Sequence, residues 1–156
     1  MQNSQNEQRA NLSVNSRQCI SHDQWEMHVS LDNYPKINLE QYVQDGKRSP
    51  NTGEIHSHIH TLGVSPKLAG YHCLCAAISM IAEDPWLMMK EVYPVVARGC
   101  GLSNWSCVEH LIRTAIHKAW ENRQIPIWER YFPVNKQGDI DRPSNKEFIT
   151  RIANRL

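Results

Sequence analysis

Residues 103–122 read SNWSCVEHLIRTAIHKAWEN and constrain the fold more than any other stretch of this chain. Apolar side chains recur there at intervals of three and four residues, which places them on one face of an α-helix. They are Trp105, Val108, Leu111, Ile112, Ala115, Ile116, Ala119 and Trp120. The opposite face carries hydrogen-bonding side chains of short or medium length and mixed charge: Ser106, Glu109, His110, Arg113, Thr114 and His117. A solvated helix face more often carries Lys and Glu, so the pattern favours a helix that is buried on one side and contacts a polar partner with the other.

The chain after residue 53 is punctuated by helix start and stop signals. Helices are predicted at 55–62, at 65–82 with Ser65 as the cap, from Asp84, at 94–98, at 103–122 with Ser103 as the cap, and after Ser144. Ser144 opens an S-x-x-E capping box, and Gly63, Gly99 and Gly101 are the predicted stops. The sequence therefore predicts an all-α bundle of about six helices. Trp86, Met88 and Met89 could form an interaction patch, but a core role is favoured for them.

The first 53 residues differ in composition from the rest. Residues 1–24 contain 13 Gln, Asn or Ser, too polar a mixture to offset the entropy of ordering, so we expect disorder there. Alternation over 25–31 predicts a short strand, 39–43 a short helix, and 45–53 a polar linker. The expected organisation is an N-terminal extension at 1–53 and a helical domain at 54–156.

The net charge of +1 conceals an uneven distribution. From His110 to the end there are nine Lys or Arg against five Asp or Glu, a net of +4, whereas 54–109 has three against five, a net of −2. A modest basic face of this kind suits a small nucleic-acid contact. The five cysteines follow no repeated framework, and no stretch reads as a signal peptide or a membrane span, so we expect a soluble cytoplasmic protein with reduced thiols.

A short helix, a glycine-bearing turn and a longer amphipathic helix are the layout of a helix-turn-helix. Arg113 can donate two hydrogen bonds to guanine, and Glu109, on the same face, can accept one from a cytosine amine. Ser103, Asn104 and Ser106 lie near the helix start, where phosphate oxygens are bound well. The same pattern also describes a surface helix whose Glu109 and Arg113 merely pair with each other.

Other chemistries find less support in the sequence. His56 and His60 have the H-x-x-x-H spacing of a zinc site, but His58 points away, and Cys73 and Cys75 diverge on a helix, so no metal is expected. The sequence has no glycine-rich phosphate loop and no G-x-S-x-G motif. We therefore expect no catalytic residue, no cofactor and no enzymatic activity.

Several ordered motifs resemble one family, the C-terminal DNA-binding effector domain of stage zero sporulation protein A, a sporulation response regulator. They are IHSHIHTLGV at 55–64, AGY at 69–71, AISM at 77–80, YP at 93–94, VExxIRxAIxxAW at 108–120 and RPSNKEFI at 142–149. The motif at 108–120 is the most specific, because it resembles the recognition helix of the family. The resemblance covers 55–156.

The resemblance implies that Glu109 and Arg113 read bases. His110 and Thr114 complete the predicted base contacts, although the family has Arg and His at those positions and Arg at Cys107. The predicted phosphate contacts are Ser103, Asn104, Ser106, His117 and Lys118. Because several family positions are changed, we expect an altered target sequence.

The implied partners are double-stranded DNA at tandem or paired sites, a second copy of the chain on DNA, and RNA polymerase holoenzyme, with no membrane. The first 53 residues are too few for the receiver domain of the family and lack its acidic cluster, so phosphorylation in cis is not expected. An alternative stays open: a receiver-less interaction module that modulates another regulator without specific DNA binding.

Overall fold

A computed structural model describes residues 52–156 and folds them into six helices. These are α1 (Thr52–Thr61), α2 (Ala69–Glu83), α3 (Met89–Gly99), α4 (Trp105–Glu121), α5 (Ile125–Trp128) and α6 (Asn145–Ala153). Extended pairing in this part of the chain is confined to one isolated antiparallel bridge, Val134–Ile140. The all-α prediction is confirmed. The predicted disorder, strand and short helix of the extension lie outside the described residues, and the last two residues of the predicted linker, Thr52 and Gly53, belong to α1.

Helix α2 lies at the centre of the bundle. Eleven of its 15 residues are buried, so it is enclosed on nearly every side. It packs against α1, α3, α4 and α6. Its Gly70 faces α4 so closely that a Cβ at this position would overlap the backbone carbonyl of Leu111. No helix among residues 52–156 is long and apolar enough to cross a membrane.

A cluster of aromatic rings joins the short α5 and the segment after it to α6. The Trp128 ring centroid lies 5.2 Å from that of Phe132 and 5.9 Å from that of Phe148, and all three side chains are almost fully buried. Trp120, at the end of α4, packs edge-on against Trp128 with centroids 5.3 Å apart. This cluster fixes the last part of α4 against α6.

Glycine ends the helix that precedes α4. Gly101 has φ +66°, the left-handed conformation that favours glycine. Its amide donates to the Arg98 carbonyl at 3.2 Å, and the Leu102 amide donates to the Ala97 carbonyl at 2.8 Å. These two bonds form a Schellman motif, which stops α3 and redirects the chain into α4. The predicted stop at Gly101 is confirmed, and Gly63 ends α1 in the same way.

Two predicted helix starts are turns instead. At Ser65 the hydroxyl accepts the Lys67 amide at 3.3 Å, and α2 begins only at Ala69. At Asp84 the side chain accepts the Trp86 amide at 3.0 Å, and α3 begins only at Met89. Ser and Asp make the same side-chain bond to a nearby amide in turns as in helix caps, so the two structures share one sequence signal.

The prediction that Pro94 opens a helix is wrong. Pro94 lies inside α3, which begins five residues earlier, where the Glu91 carboxylate accepts the Met88 amide at 2.9 Å. A proline in a helix interior removes one hydrogen bond and costs about 3 kcal/mol. Burial of Val92, Tyr93, Val96 and Ala97 on both sides of Pro94 offsets that cost.

Three side chains assigned to the core are exposed. Trp86 is 91% exposed, Trp105 53% and Met88 51%, whereas Met89 is half-buried against the core. Trp86 and Met88 lie in the turn between α2 and α3, and Trp105 is the first residue of α4, beyond the buried stripe of that helix. For these side chains, location in a turn or at a helix end determines exposure more than hydrophobicity does.

Candidate nucleic-acid interface

Helix α4 has the two faces that its sequence predicts. Its inner face, packed on α2, α3 and α6, consists of Val108, Leu111, Ile112, Ala115, Ile116 and Ala119, all of them buried. None of the nine predicted DNA-contact residues is buried. The helix is therefore held by one side and presents the other to solvent.

The start of α4 is capped by Asn104 rather than by Ser103. The Asn104 side-chain oxygen accepts the Cys107 amide at 3.1 Å and the Ser106 hydroxyl at 2.5 Å. Ser and Asn are equally good caps, so the sequence did not distinguish two neighbours of this kind. Because the oxygen of Asn104 serves the cap, its amide nitrogen is the group that can donate to a phosphate.

Glu109 and Arg113 form an ion pair one turn apart on the outer face. The Arg113 side chain is 61% exposed and that of Glu109 33%. The pairing that the sequence offered as the alternative to base reading therefore exists in the structure. An exposed pair of this kind contributes only about 0.3–0.5 kcal/mol, so it does not prevent either side chain from taking a different partner.

His117, a predicted phosphate contact near the end of α4, forms a hydrogen bond with the C-terminal part of the chain. His117 Nδ1 accepts a hydrogen bond from the Arg142 guanidinium at 3.1 Å, and its Nε2 lies 3.4 Å from the Glu121 carboxylate. Arg142 is thereby placed beside α4.

An open cleft runs between α3, α4 and the segment before α6. It is lined by Met89, Tyr93, Glu109, Arg113, Ile116 and residues 142–146. Arg142 and Lys146 thus lie near the two predicted base readers, a placement that the sequence analysis missed. The positive charge of the C-terminal region was visible in the sequence. Which basic residues face α4 depends on the path of the chain through 129–144, for which the sequence gives no direct signal.

The histidines and cysteines near α1 and α2 are engaged in separate contacts. His56 Nδ1 lies 2.6 Å from the Tyr71 hydroxyl and 3.8 Å from Cys75 Sγ, while Cys73 Sγ lies 3.5 Å from Cys100 Sγ. The predicted divergence of Cys73 and Cys75 is confirmed, and burial raises the pKa of Cys75 to about 12. Within residues 52–156, no group of three or more His, Cys, Asp or Glu could hold a metal ion.

A helix, a glycine turn and a second helix with one buried and one polar face have the layout of a helix-turn-helix domain. Residues 55–156 match the family described as sporulation initiation factor Spo0A C terminal, and the chain belongs to that family. The family comprises DNA-binding effector domains of response regulators that control transcription in sporulation, and it is not an enzyme family. The resemblance drawn from the motifs is confirmed.

Proposed function

We propose that this chain is a sequence-specific transcription regulator of the sporulation-initiation type, which reads the major groove with α4. The base contacts are Glu109, His110, Arg113 and Thr114, and the phosphate contacts are Ser103, Asn104, Ser106, His117 and Lys118. The observation that carries the proposal is the solvent-facing Glu109–Arg113 pair on a helix whose other face is buried. No catalytic group, cofactor or metal is part of it.

The energetics favour exchange of the ion pair for base contacts. Breaking an exposed pair costs about 0.3–0.5 kcal/mol, whereas a good bidentate contact discriminates against the wrong base by about 1–3 kcal/mol. Arg113 suits the two acceptors of guanine, and Glu109 suits a cytosine amine. In the free protein the two side chains pair with each other on the outer face.

The phosphate contacts bracket the base readers along α4. Ser103 and Asn104 lie just before its first turn and Ser106 lies in that turn, where backbone amides also favour an anion. His117 and Lys118 lie toward its end. Lys118 is the lysine among the proposed phosphate contacts. Its loss would therefore reduce the slope of log affinity against log salt concentration by about 0.9.

Family membership supports the further partners that we propose. These are double-stranded DNA with tandem or paired sites, a homodimer on that DNA, and RNA polymerase holoenzyme, all in the cytoplasm. We also propose that DNA affinity does not depend on phosphorylation within residues 1–53, because that segment has no acidic cluster resembling a phosphoacceptor site. Treatment with a small-molecule phosphodonor is expected to leave the affinity unchanged, and an increase would refute this part.

Selection of bound DNA from a random pool, followed by mobility shift, tests the proposal. We expect one enriched sequence class that binds in a salt-sensitive manner. Arg113→Ala should weaken binding to it by about 5- to 150-fold, the equivalent of one lost bidentate contact. Lys136→Ala is the matched control, since it removes one exposed cation from the loop between Val134 and Ile140, outside α4. Absence of enrichment at moderate salt contradicts the proposal, and so does an Arg113→Ala variant that binds as tightly as the wild type.

The exposed Trp86 and Met88 favour a second candidate, an interaction module that modulates another regulator without specific DNA binding. Large apolar side chains exposed together often mark a protein contact. The same selection separates the two candidates, because the second predicts no enriched DNA sequence.

A further inference from the structure

Asn145, the first residue of α6, joins both helices of the helix-turn-helix. Its side-chain amide donates to the backbone carbonyl of Glu109 in α4 at 2.9 Å. The hydroxyl of Tyr93 in α3 lies beside the same side chain, which acts to lower the Tyr93 pKa against the larger effect of burial. One half-buried amide thus connects α3, α4 and α6.

The carbonyl that Asn145 contacts belongs to the turn of α4 that carries both predicted base readers. In an α-helix the carbonyl of Glu109 faces the amide of Arg113. A carbonyl oxygen has two lone pairs, so it can accept a second bond from outside the helix. The contact of Asn145 therefore acts on the backbone between the two readers and leaves their side chains at the surface.

Asn145 is held in place by the packing and capping of the first turn of α6. The Ser144 hydroxyl accepts the Glu147 amide at 3.2 Å and caps α6, and Phe148 and Ile149 in the next turn are fully buried. Tyr93 is buried as well, and burial is the main cause that raises its pKa. Asn145 consequently projects from a fixed helix end, with its amide directed at the Glu109 carbonyl.

We infer that Asn145 is a positioning residue that fixes the rotation and height of α4 relative to bound DNA. The inference rests on the proposed function. Apolar packing beneath α4 resists separation of the helices but is non-directional, whereas a hydrogen bond to one carbonyl is directional. Base contacts need that alignment, while phosphate contacts carry no sequence information. Loss of Asn145 therefore impairs discrimination between DNA sequences and leaves general affinity for DNA intact.

The test compares two variants with a matched control. Asn145→Ala removes the amide, and Tyr93→Phe keeps the buried ring but removes the hydroxyl beside that amide. Asn154→Ala is the control, because it changes the same residue type at the exposed C-terminal end of α6. Affinities are measured for the selected duplex and for a scrambled duplex over a range of salt concentrations, below the unfolding temperature of each variant.

We expect Asn145→Ala to bind the selected duplex about tenfold more weakly, as for the loss of one hydrogen bond, with unchanged binding to the scrambled duplex and an unchanged salt slope. Tyr93→Phe should also weaken binding to the selected duplex, but by a smaller factor. Asn154→Ala should bind as the wild type does. Hydrogen exchange of the DNA-free protein supplies a second readout. The amides of 109–113 should exchange faster in Asn145→Ala than in the wild type, with those of α2 unaffected.

The outcomes separate this inference from the proposed function. A wild type with no preference between the duplexes overturns both. A wild-type preference that survives intact in Asn145→Ala and Tyr93→Phe overturns the positioning role alone. Equal losses on both duplexes, or faster exchange throughout α2 as well, assign Asn145 to general stability and also overturn the positioning role.

Discussion

Helices α2 and α4 have similar lengths, 15 and 17 residues, but very different surroundings. α2 is buried on almost every side, so nearly any change along it alters packing. α4 is buried along one face only, and its outer face makes mainly local contacts, such as the Glu109–Arg113 pair. The contacts that stabilise the fold and the residues that we propose for DNA recognition therefore lie on separate surfaces of this domain. Substitutions in the two places should therefore have separable effects.

The largest expected difference between the two helices is in the free energy of unfolding. Leu74 in α2 is fully buried, and Leu74→Ala should destabilise the domain by about 2–5 kcal/mol, because it removes apolar contacts and leaves a cavity. His110→Ala on the outer face of α4 should change stability by less than about 0.5 kcal/mol. Urea unfolding followed by circular dichroism measures both. Comparable losses for the two variants would break the distinction between the helices.

A smaller effect is expected at the start of α4. Asn104→Ala should cost about 1 kcal/mol, because its side-chain oxygen accepts the Cys107 amide, whereas Ser103→Ala should have little effect. Thermal unfolding of the two variants decides between the neighbours. A larger loss for Ser103→Ala would restore Ser103 as the cap.

The smallest effect is expected at Trp86. Because its side chain projects almost entirely into solvent, Trp86→Ser should change the free energy of unfolding by less than about 0.5 kcal/mol. Urea unfolding measures it, with Trp105→Ser as the companion at the less exposed position. A cost above about 2 kcal/mol would place Trp86 in the core after all and remove the observation that favours an interaction module.

Periodicity predicted α4 well because its signal is local. The apolar positions from Val108 to Ala119 are all buried, and the predicted ends lie within two residues of the observed ones. The same reasoning misplaced Trp86 and Trp105, since hydrophobicity does not report where the chain turns. It also treated Pro94 as a helix start, because burial on both sides of a proline becomes visible only in the packed bundle.

The candidate site was predicted as far as it lies on one helix. Glu109 and Arg113 share a face by spacing alone, and the structure places them together. Asn145 was not found, since it lies 36 residues from Glu109 in sequence and contacts a backbone carbonyl that no side-chain pattern reveals. Arg142 was missed for a similar reason, as its contact with His117 spans 25 residues.

The close approach of α2 and α4 at Gly70 bears on how this domain can change. The Cβ-free surface of Gly70 faces the backbone carbonyl of Leu111, so this contact is independent of every side chain on the outer face of α4. A new set of outer-face residues would therefore be presented at the same height above the bundle as the present set. The domain can diverge, or be redesigned, in what it recognises while α4 is seated in the same place.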